Sequence, residues 1–338
     1  MRILLVEPAH DSRARGNTTT VHRWVEGLLR HGDSVRRLRP GELDAAAAAC
    51  DLVHAHHALH AGEAALAFAR EHGLPFVLSL GGTDLDGADG AGPEPRTLAV
   101  VAAASIVIGP FDENASRLAA ALGAAPRFQR VRRGVVVPPR PAALRAGDPL
   151  RLLLAGGLRR AKGQDVALRW CESAREQGLD VELVLAGPVV EEDYARDIAR
   201  VARRESWVRW IGEVPPERMP HLHARIDVVL NTSAHEGASN AILEGLAQGR
   251  VVLARRAPGN EELLRRAPDR AARLAAVDGL AAVTGFLQDV ARDDRGRRAR
   301  RAAAARAFAR EEYGAARELA ELRRAYERAL ASGPPRPS

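Results

Sequence analysis

Two glutamates that bracket the start of a predicted helix, Glu236 and Glu244, are the carboxylates of this sequence best placed for ligand chemistry. Ser239 is a suitable N-cap for that helix, so backbone N–H groups over 237–240 are available to a ligand. Glu244 lies off the apolar face and stacks with Asn240 at i, i+4. A helix N-terminus attracts anions such as phosphate, and carboxylates accept hydrogen bonds from sugar hydroxyls. The alternative is an ordinary capped helix with solvated acids.

A second group of candidate residues follows the strand predicted over 150–155. Gly156 and Gly157 allow a ligand to approach the backbone closely, and Arg159 and Lys162 supply the positive charge that binds phosphate. Each charge-assisted hydrogen bond contributes about 1.5–3 kcal/mol. The alternative is the basic start of a helix in an Arg-rich chain, although basic residues at a helix N-terminus oppose the helix dipole.

Loops after two predicted strands of the amino-terminal half also contain glycine. Gly16-Asn17 follows the first strand, and Gly-Gly-Thr-Asp at 81–84 ends a later one, so we expect both to line the opposite wall of a cleft. Four histidines lie within 54–60. A metal site is the less favoured interpretation of these histidines, because neither cysteine nor a suitably spaced carboxylate accompanies them. We expect His56 or His57 to reach the edge of the cleft.

Strands that alternate with helices position these loops, and this alternation predicts an α/β fold with parallel sheets. The pattern runs twice, with four prolines over 137–149 between the two halves. The sequence therefore predicts two doubly wound domains that face a cleft. Strands are predicted over 3–6, 51–55, 75–80, 105–108, 150–155, 181–186, 226–230 and 250–254, and helices over 18–30, 58–71, 112–122, 162–177, 191–204, 239–248 and most of 281–330. We expect an amino-terminal domain over 1–136, a linker over 137–149, a second domain over 150–295, a helical segment over 296–332 and a tail over 333–338.

Composition limits the class of protein and its partners. The 338 residues are 46% hydrophobic and 28% charged, which excludes collagen-like, disulfide-rich and largely disordered proteins. The net charge of +7 suits an anionic partner. The Arg-rich stretch over 292–310 could bind nucleic acid or a membrane surface, but interleaved acids and few aromatic residues favour a solvated helix. The two cysteines, Cys50 and Cys171, form neither a disulfide framework nor a metal-ligand set. With no signal peptide or membrane-spanning run, we expect a cytoplasmic protein.

The two glutamates and several other segments, in order, resemble retaining glycosyltransferases of family 4, which have the GT-B fold and use nucleotide sugars. Within that family the chain is most similar to the "glycosyltransferase 1 domain-containing" group. The amino-terminal pattern Gly16-Asn17-x-x-Thr20-x-x-Arg23-Trp24 also resembles the selenosugar synthases. The other segments are Asp51-Leu-Val-His-Ala-His56, Gly82-Thr-Asp-Leu85, Arg133-Gly-Val135, Lys162-Gly163, Leu185-Ala-Gly-Pro188, Trp210-Ile-Gly-Glu213 and Leu253 to Asn260.

The resemblance implies a role for each matching position. Glu244 would hold the ribose hydroxyls of the donor, and the base would be recognised near Ile211 to Val214, at Gly212 and Glu213. The donor sugar would be held by Glu236 and by the amides of Gly237, Ala238, Ser239 and Asn240. Arg159 and Lys162 would neutralise the diphosphate, with Gly157 beside them, so that neither a metal nor a cofactor is needed. The acceptor would lie on the amino-terminal domain near Gly16, Asn17, His56 and Asp84, and the carboxyl-terminal helix would pack back on that domain.

The predicted activity is transfer of a sugar from an NDP-sugar, most simply a UDP-sugar, with retention at the anomeric carbon. Two positions depart from the family. Gly157 stands where many members carry a basic residue, and Gly81 where many carry a histidine that is thought to contact the donor sugar. The alternatives are a selenosugar synthase-like transferase with a chalcogen nucleophile, a nucleotide-sugar-binding protein without activity, and a nucleic-acid-binding protein.

Overall fold

The computed structural model describes residues 1–8, 15–81, 84–87, 92–140, 147 and 149–335. The chain divides into two compact units, of which the first combines Met1–Gly134 with Ala315–Ser338 and the second is Val135–Gly314. Each unit contains one six-stranded sheet. The amino-terminal unit is thus completed by the last helix of the chain. The expected helical segment over 296–332 is divided at Gly314, so that its first part stays with the second unit.

The sheet of the first unit has the strand order β2-β1-β3-β4-β5-β6, and all neighbouring strands are parallel. The order reverses between β1 and β3, which makes the carboxyl ends of these two strands the position where such sheets bind ligands. The inner strands are buried and apolar because helices cover both faces. The strands are β1 (Arg2–Val6), β2 (Ser34–Leu38), β3 (Leu52–His56), β4 (Phe76–Ser79), β5 (Ile106–Gly109) and β6 (Phe128–Arg130).

The carboxyl-terminal helix packs on one face of this sheet, as expected for the fold. Tyr326 is fully buried there, and its hydroxyl lies 2.7 Å from Nδ1 of His54 on β3. Burial lowers the pKa of His54 to about 3, so this imidazole is neutral. Helix α1 lies beside the carboxyl-terminal helix and buries Val21, Trp24 and Leu28 in the same core. The helices of this unit are α1 (Arg15–Arg30), α2 (Glu63–Glu71), α3 (Pro95–Ala103), α4 (Asp112–Leu122) and the carboxyl-terminal α12 (Ala315–Ser332).

The sheet of the second unit has the order β12-β11-β10-β7-β8-β9, again with parallel neighbours. Here the order reverses between β7 and β10, and Trp170 is the largest fully buried side chain of the core. The strands are β7 (Leu150–Ala155), β8 (Val181–Ala186), β9 (Val208–Trp210), β10 (Val228–Asn231), β11 (Val251–Arg255) and β12 (Ala272–Ala275), and the helices are α5 (Gln164–Glu176), α6 (Glu192–Arg204), α7 (Met219–His223), α8 (Asn240–Ala247), α9 (Pro258–Leu264), α10 (Leu280–Ala291) and α11 (Arg295–Tyr313).

Local sequence explains where the helices depart from the prediction. The helix predicted from Lys162 starts at Gln164, because Gly163 takes a left-handed conformation with φ of +64°. The helical stretch over 281–330 is three helices, of which α11 begins after Asp294, whose carboxylate caps the N–H of Arg297. The proline-rich segment is held to the second unit, since Arg306 donates a hydrogen bond to the carbonyl of Pro138.

Candidate functional site

A salt bridge joins the loops that follow β7 and β10, at the point where the strand order of the second unit reverses. Lys162 Nζ donates to Glu236 Oε1 over 2.5 Å. The two side chains are largely enclosed, with 21% of the lysine and 12% of the glutamate exposed. Because sheets of this type bind ligands outside the carboxyl ends of the strands at such a reversal, this pair marks the candidate site.

Three protein donors converge on one oxygen of Glu236. Besides Lys162, Ser233 Oγ donates over 2.9 Å and Asn231 Nδ2 over 3.2 Å to Oε1. Burial by itself raises the pKa of Glu236, but these partners, Lys162 foremost, outweigh it and hold the pKa below its ordinary value. Glu236 is therefore an anion at neutral pH, fixed through Oε1.

Asn231, the last residue of β10, organises the loop. Its Nδ2 also donates to Ser239 Oγ over 2.9 Å, and its Oδ1 accepts from Asn260 Nδ2 over 3.2 Å. Ser239 occupies the N-cap position of α8 as predicted, but its side chain makes no capping bond to the helix and accepts from Asn231 instead. The polar run that begins at Asn231 directly after an apolar strand was the sequence signal for this network, and its significance was missed.

The lysine loop and the glutamate loop are tied together through their backbones. Thr232 Oγ1 donates to the carbonyls of Lys162 and Gly163, and the N–H of Ala234 donates to the carbonyl of Ala161. A Cβ at Gly163 would overlap the carbonyl oxygen of Thr232, so the close approach also requires glycine on that side. These bonds fix the spacing between the cation and the anion before any ligand binds.

Behind the glutamate loop, Gly259 of α9 provides the same kind of clearance. A Cβ at Gly259 would overlap the carbonyl oxygen of Glu236. The helix can therefore pack directly against the backbone that carries the carboxylate only because this position is glycine.

The loops after β7, β8 and β9 also lie close together. The N–H of Gly156 donates to the carbonyl of Ala186, and the N–H of Gly187 donates to the carbonyl of Gly212 over 2.7 Å. Gly212 has a φ of +70°, and the predicted Glu213 follows it. At Gly157 an added Cβ would lie 2.6 Å from a methyl carbon of Val190, so a side chain at this position would require a shift there.

Arg159 is the second predicted cation of the site. It lies at the start of the short 3-10 turn that ends at Lys162, and it is half-buried. Within the parts of the chain that the structure describes, its guanidinium forms no hydrogen bond and no ion pair, in contrast to Lys162. Its guanidinium is therefore not committed to a carboxylate of the described residues, and it can pair with an anionic ligand.

Glu244 lies one turn into α8. The sequence predicted that it stacks with Asn240, and the structure also places its carboxylate near a histidine. Its Oε2 is 4.0 Å from Nε2 of His223, which is the last residue of α7. His223 is buried, and within the described part of the chain neither of its ring nitrogens makes a hydrogen bond. No sequence pattern predicted a role for this histidine. As predicted, the apolar face of α8 is buried at Ile242, Leu243, Leu246 and Ala247.

In the first unit, Asp84 organises the carboxyl end of β3. Its carboxylate accepts from the N–H groups of Gly81 (2.7 Å) and Ala58 (3.1 Å), and it lies 2.9 Å from Nδ1 of His57. His57 has a φ of +80°, which is strained for a residue other than glycine. A Cβ at Gly81 would overlap the His57 ring, so the imidazole of His57 occupies the space that a side chain at position 81 would enter.

His56 is fully buried, and its Nδ1 lies 2.8 Å from Ser79 Oγ. Burial, reinforced by the charge of Arg133, lowers the pKa of His56 well below its ordinary value, so the ring is neutral. Gly16 and Asn17 are part of α1, but only their backbone is described. Gly82 and Thr83 lie outside the described residues. In the described ranges no group of three His, Cys, Asp or Glu side chains is arranged to hold a metal ion, and no helix there is long and apolar enough to cross a membrane.

The fold is that of GT-B glycosyltransferases, two Rossmann-like units. The crystal structure of HepE from Anabaena in complex with UDP-glucose superposes with a TM-score of 0.74, over 97% of this chain and 99% of the HepE chain, at 17% sequence identity. At this identity the likeness establishes the fold alone.

Most of the second unit matches a known protein family in sequence. Residues 149–290 match the family described as "Glycosyl transferases group 1". D-inositol 3-phosphate glycosyltransferase 1 of Catenulispora acidiphila is 36% identical over 159 residues, 41% of this chain and 37% of the relative. Glycosyltransferase 1 domain-containing protein 1 of Xenopus tropicalis is 29% identical over 113 residues, 33% of either chain. The matches thus span about a third of the length of these relatives, and the family match contains Lys162, Glu236 and Glu244.

Proposed function

We propose that the protein is a retaining glycosyltransferase that transfers a sugar from an NDP-sugar, and that the nucleotide is a uridine diphosphate. The observation that carries this proposal is the Lys162–Glu236 pair at the strand-order reversal, with Arg159, which has no ion pair among the described residues, at the start of the same turn. The pair lies within the segment that matches "Glycosyl transferases group 1". The bound UDP-glucose of HepE, a protein of the same fold, supports the choice of nucleotide.

In this proposal each donor group meets a complementary part of the site. Arg159 and Lys162 bind the diphosphate, because guanidinium and ammonium groups form strong charge-assisted hydrogen bonds with phosphate oxygens. Glu236 and the backbone over 237–240 hold the sugar, and Glu244 accepts hydrogen bonds from the ribose hydroxyls. Gly212 and Glu213, after β9, contact the base.

The transfer breaks the bond between the anomeric carbon and the diphosphate oxygen, and the NDP leaves with the electron pair. The acceptor oxygen forms the new bond on the same face of the sugar, and its proton passes to the departing phosphate oxygen. Negative charge therefore develops on the leaving group, where Arg159 and Lys162 stabilise the transition state more than the bound donor. The two cations take the part that a metal would otherwise play, so neither a metal nor a cofactor enters this proposal.

The acceptor belongs, in this proposal, to the first unit, where the predicted residues Gly16, Asn17, His56 and Asp84 lie at or after the carboxyl ends of the strands. His56 and Asp84 are enclosed and bonded to their own loops. They shape this region rather than offer free polar atoms. Two alternatives retain the same donor site: a chalcogen nucleophile in place of the hydroxyl, and donor binding without transfer.

Calorimetric titration with UDP tests the donor site. We expect Lys162→Met and Glu244→Gln each to weaken UDP binding by about 10-fold or more, since each removes a charged hydrogen-bond partner. Arg169→Gln is the matched control, because it removes an exposed cation of α5 whose partner Asp165 lies 3.7 Å away. Full UDP affinity in both site variants would show that the donor binds elsewhere.

Turnover is tested without knowledge of the natural acceptor. With UDP-sugars and methanol as a surrogate nucleophile, proton NMR reports the anomeric configuration of the methyl glycoside. Retention predicts the configuration of the donor, whereas the opposite anomer would refute the retaining mechanism. If the protein binds UDP but forms no methyl glycoside and hydrolyses no donor, the result would favour the alternative of a nucleotide-sugar-binding protein without transferase activity.

A further inference from the structure

His223 is a buried side chain to which the proposed function gives no part. It is the last residue of α7, a short helix that has Pro220 in its first turn, where proline is tolerated. Side chains two positions apart on a helix point about 200° away from each other. The sequence Met-Pro-His-Leu-His over 219–223 therefore directs its two histidines to opposite sides, and the structure exposes His221 and buries His223.

The imidazole of His223 has hydrogen-bonding groups that the resting protein does not use. Both ring nitrogens are buried, and among the described residues neither has a hydrogen-bond partner. In either protonation state an imidazole carries at least one N–H group. A buried donor without an acceptor is uncommon in a native protein, because the group has lost its water and gained nothing in return. This N–H therefore points to an acceptor that comes within range only under other conditions.

The carboxylate of Glu244 is close enough to become that acceptor. Its Oε2 lies 4.0 Å from Nε2 of His223, and an approach of about 1 Å would complete a hydrogen bond. The side chain of His223 is 2% exposed and that of Glu244 31% exposed. The imidazole thus faces the carboxylate from the protein side, while the solvent side of the carboxylate stays open to a ligand.

The two candidate glutamates of the site differ in how firmly they are held. Glu236 is fixed through Oε1 by Lys162, Ser233 and Asn231. The carboxylate of Glu244, in contrast, accepts no hydrogen bond within the described residues, and His223 is its one ionisable neighbour there within 4.0 Å. A glutamate side chain held by nothing loses rotamer freedom when it binds a ligand, and this loss weakens binding.

We propose that His223 is a positioning residue for Glu244. In the ligated protein its Nε2–H donates to Oε2, and the carboxylate then turns Oε1 and the remaining lone pair of Oε2 towards the two neighbouring hydroxyls of a ribose. A carboxylate has about four acceptor positions, so it can serve the imidazole and both hydroxyls together. The inference rests on the proposed function for the ribose, and it makes His223 a determinant of the preference for ribose over deoxyribose.

Calorimetric titration with UDP and with deoxyuridine diphosphate (dUDP), which lacks one of the two hydroxyls, tests the proposal. The unmodified protein should bind UDP about 10-fold or more tightly than dUDP, because a site built around a hydroxyl rejects a ligand without it. His223→Phe keeps a ring and removes both nitrogens. We expect it to weaken UDP binding by about 2- to 10-fold and dUDP binding less, so that the ratio of the two affinities falls by about 2- to 5-fold.

Two further substitutions locate the nitrogen that matters. The amide nitrogen of glutamine can take a position near Nε2 of histidine, whereas that of the shorter asparagine is closer to Nδ1. His223→Gln should therefore restore most of the ratio and His223→Asn should not. His221→Gln is the matched control, because it changes an exposed histidine of the same helix and should leave both affinities unchanged.

The ratio of affinities separates positioning from a structural role. A variant that only loosens the site should weaken UDP and dUDP binding alike and leave the ratio as it is in the unmodified protein. In a Glu244→Gln background, His223→Phe should change the ratio by less than about 2-fold, since the interaction is already absent. An unchanged ratio in His223→Phe, or equal restoration by His223→Asn and His223→Gln, would overturn the proposal.

The Glu244→Gln variant shows separately whether the proposed function fails. If UDP binds and this variant keeps the unmodified ratio, Glu244 does not hold the ribose, and the positioning role is refuted with it. A lowered ratio in Glu244→Gln together with an unmodified ratio in His223→Phe would refute the positioning role alone.

If UDP does not bind, the donor proposal fails, and proton–nitrogen correlation NMR of the imidazole rings decides the contact in the protein alone. The signals of His223 are identified by their loss in His223→Gln. We expect the proton on Nε2, and the Nε2 resonance should move in Glu244→Gln but not in Glu217→Gln, which changes an exposed carboxylate before α7. A proton on Nδ1, or a resonance that ignores Glu244→Gln, would refute the contact.

Discussion

Replacing Lys162 with methionine removes the cation of the Lys162–Glu236 pair and keeps most of the side-chain volume. Glu236 would then retain only the hydrogen bonds from Ser233 and Asn231, at 2.9 and 3.2 Å. Breaking a fully buried pair by removing one partner costs about 3–5 kcal/mol. Because the glutamate is 12% exposed and keeps two donors, we expect a loss of about 2–3 kcal/mol in the free energy of unfolding.

Removing the glutamate instead of the lysine should lower the free energy of unfolding by a smaller amount. Glu236→Gln leaves an ammonium group that is 21% exposed and that water can reach. The glutamine amide oxygen of this variant can still accept a hydrogen bond from Ser233, so we expect a loss of about 1 kcal/mol in the free energy of unfolding. The double variant should lose less than the sum of the two single losses, because both changes remove the same interaction.

Urea unfolding followed by tryptophan fluorescence measures these losses in the relevant unit, because three of the four tryptophans, Trp170, Trp207 and Trp210, belong to it. Arg169→Met is the matched control: it also removes a cation, but the pair with Asp165 is exposed, and a loss of no more than about 0.5 kcal/mol is expected. A loss in Glu236→Gln equal to or greater than that in Lys162→Met would refute the reasoning.

The loss in the free energy of unfolding caused by Lys162→Met should depend on pH, and the pKa of Glu236 fixes the direction of that dependence. In the unmodified protein the pKa of Glu236 is lowered, so its contribution to stability is present above the ordinary value and is lost as the pH falls through the lowered value. Without Lys162, burial remains as the main influence and raises the pKa of Glu236, so protonation favours the folded state. The difference between the two proteins should therefore be greatest near neutral pH. It should shrink as the pH falls, first through the raised pKa of the variant and then, below the ordinary value, through the lowered pKa of the unmodified protein.

Further predictions concern packing and positioning. Gly259→Ala should cost about 1–3 kcal/mol and abolish UDP binding, because its Cβ would overlap the backbone carbonyl of Glu236. Gly285→Ala, at an exposed helical position with open space around it, should instead stabilise the protein by about 0.5–1 kcal/mol in thermal unfolding. His223→Phe should weaken UDP binding by about 2- to 10-fold through Glu244, and His223→Gln, which keeps a donor, should restore most of it; equal affinities would exclude a positioning role. Tyr326→Phe should lower the stability of the first unit by about 1–3 kcal/mol in urea unfolding, because it removes the one hydrogen-bond partner that His54, buried on β3, has among the described residues.

The fold class followed from the sequence because the inner strands of parallel sheets are short apolar runs between amphipathic helices. The edge strands β2, β6, β9 and β12 were not predicted. The residues of β2, Ser-Val-Arg-Arg-Leu over 34–38, include two arginines, which an edge position tolerates because it has solvent on one side. Each edge strand pairs with the strand that precedes it in the chain, across an intervening helix, so the pairing that stabilises it is not visible in its own residues.

The candidate site was predicted in part. Lys162 and Glu236 were identified by residue type and by position after predicted strands, and the structure brings them into contact. The groups that fix them were not identified, because Asn231 ends β10 and Asn260 lies on α9, and the two meet only in the folded chain. His223 was missed for the same reason. The roles that the family resemblance gives to Glu244 and to the acceptor-side residues stay predictions.

The separation of the first unit into two stretches of sequence has a consequence for synthesis. Helix α12, which fills the core beside α1, emerges from the ribosome after the whole second unit, which is one uninterrupted stretch over 135–314. The second unit can therefore complete its core before α12 is available, although domains generally fold from the amino terminus onwards. Until α12 has been made, the apolar side of α1 at Val21, Trp24 and Leu28 has no covering helix and needs protection from aggregation, so nascent chains that stop before Ala315 are those most dependent on chaperones.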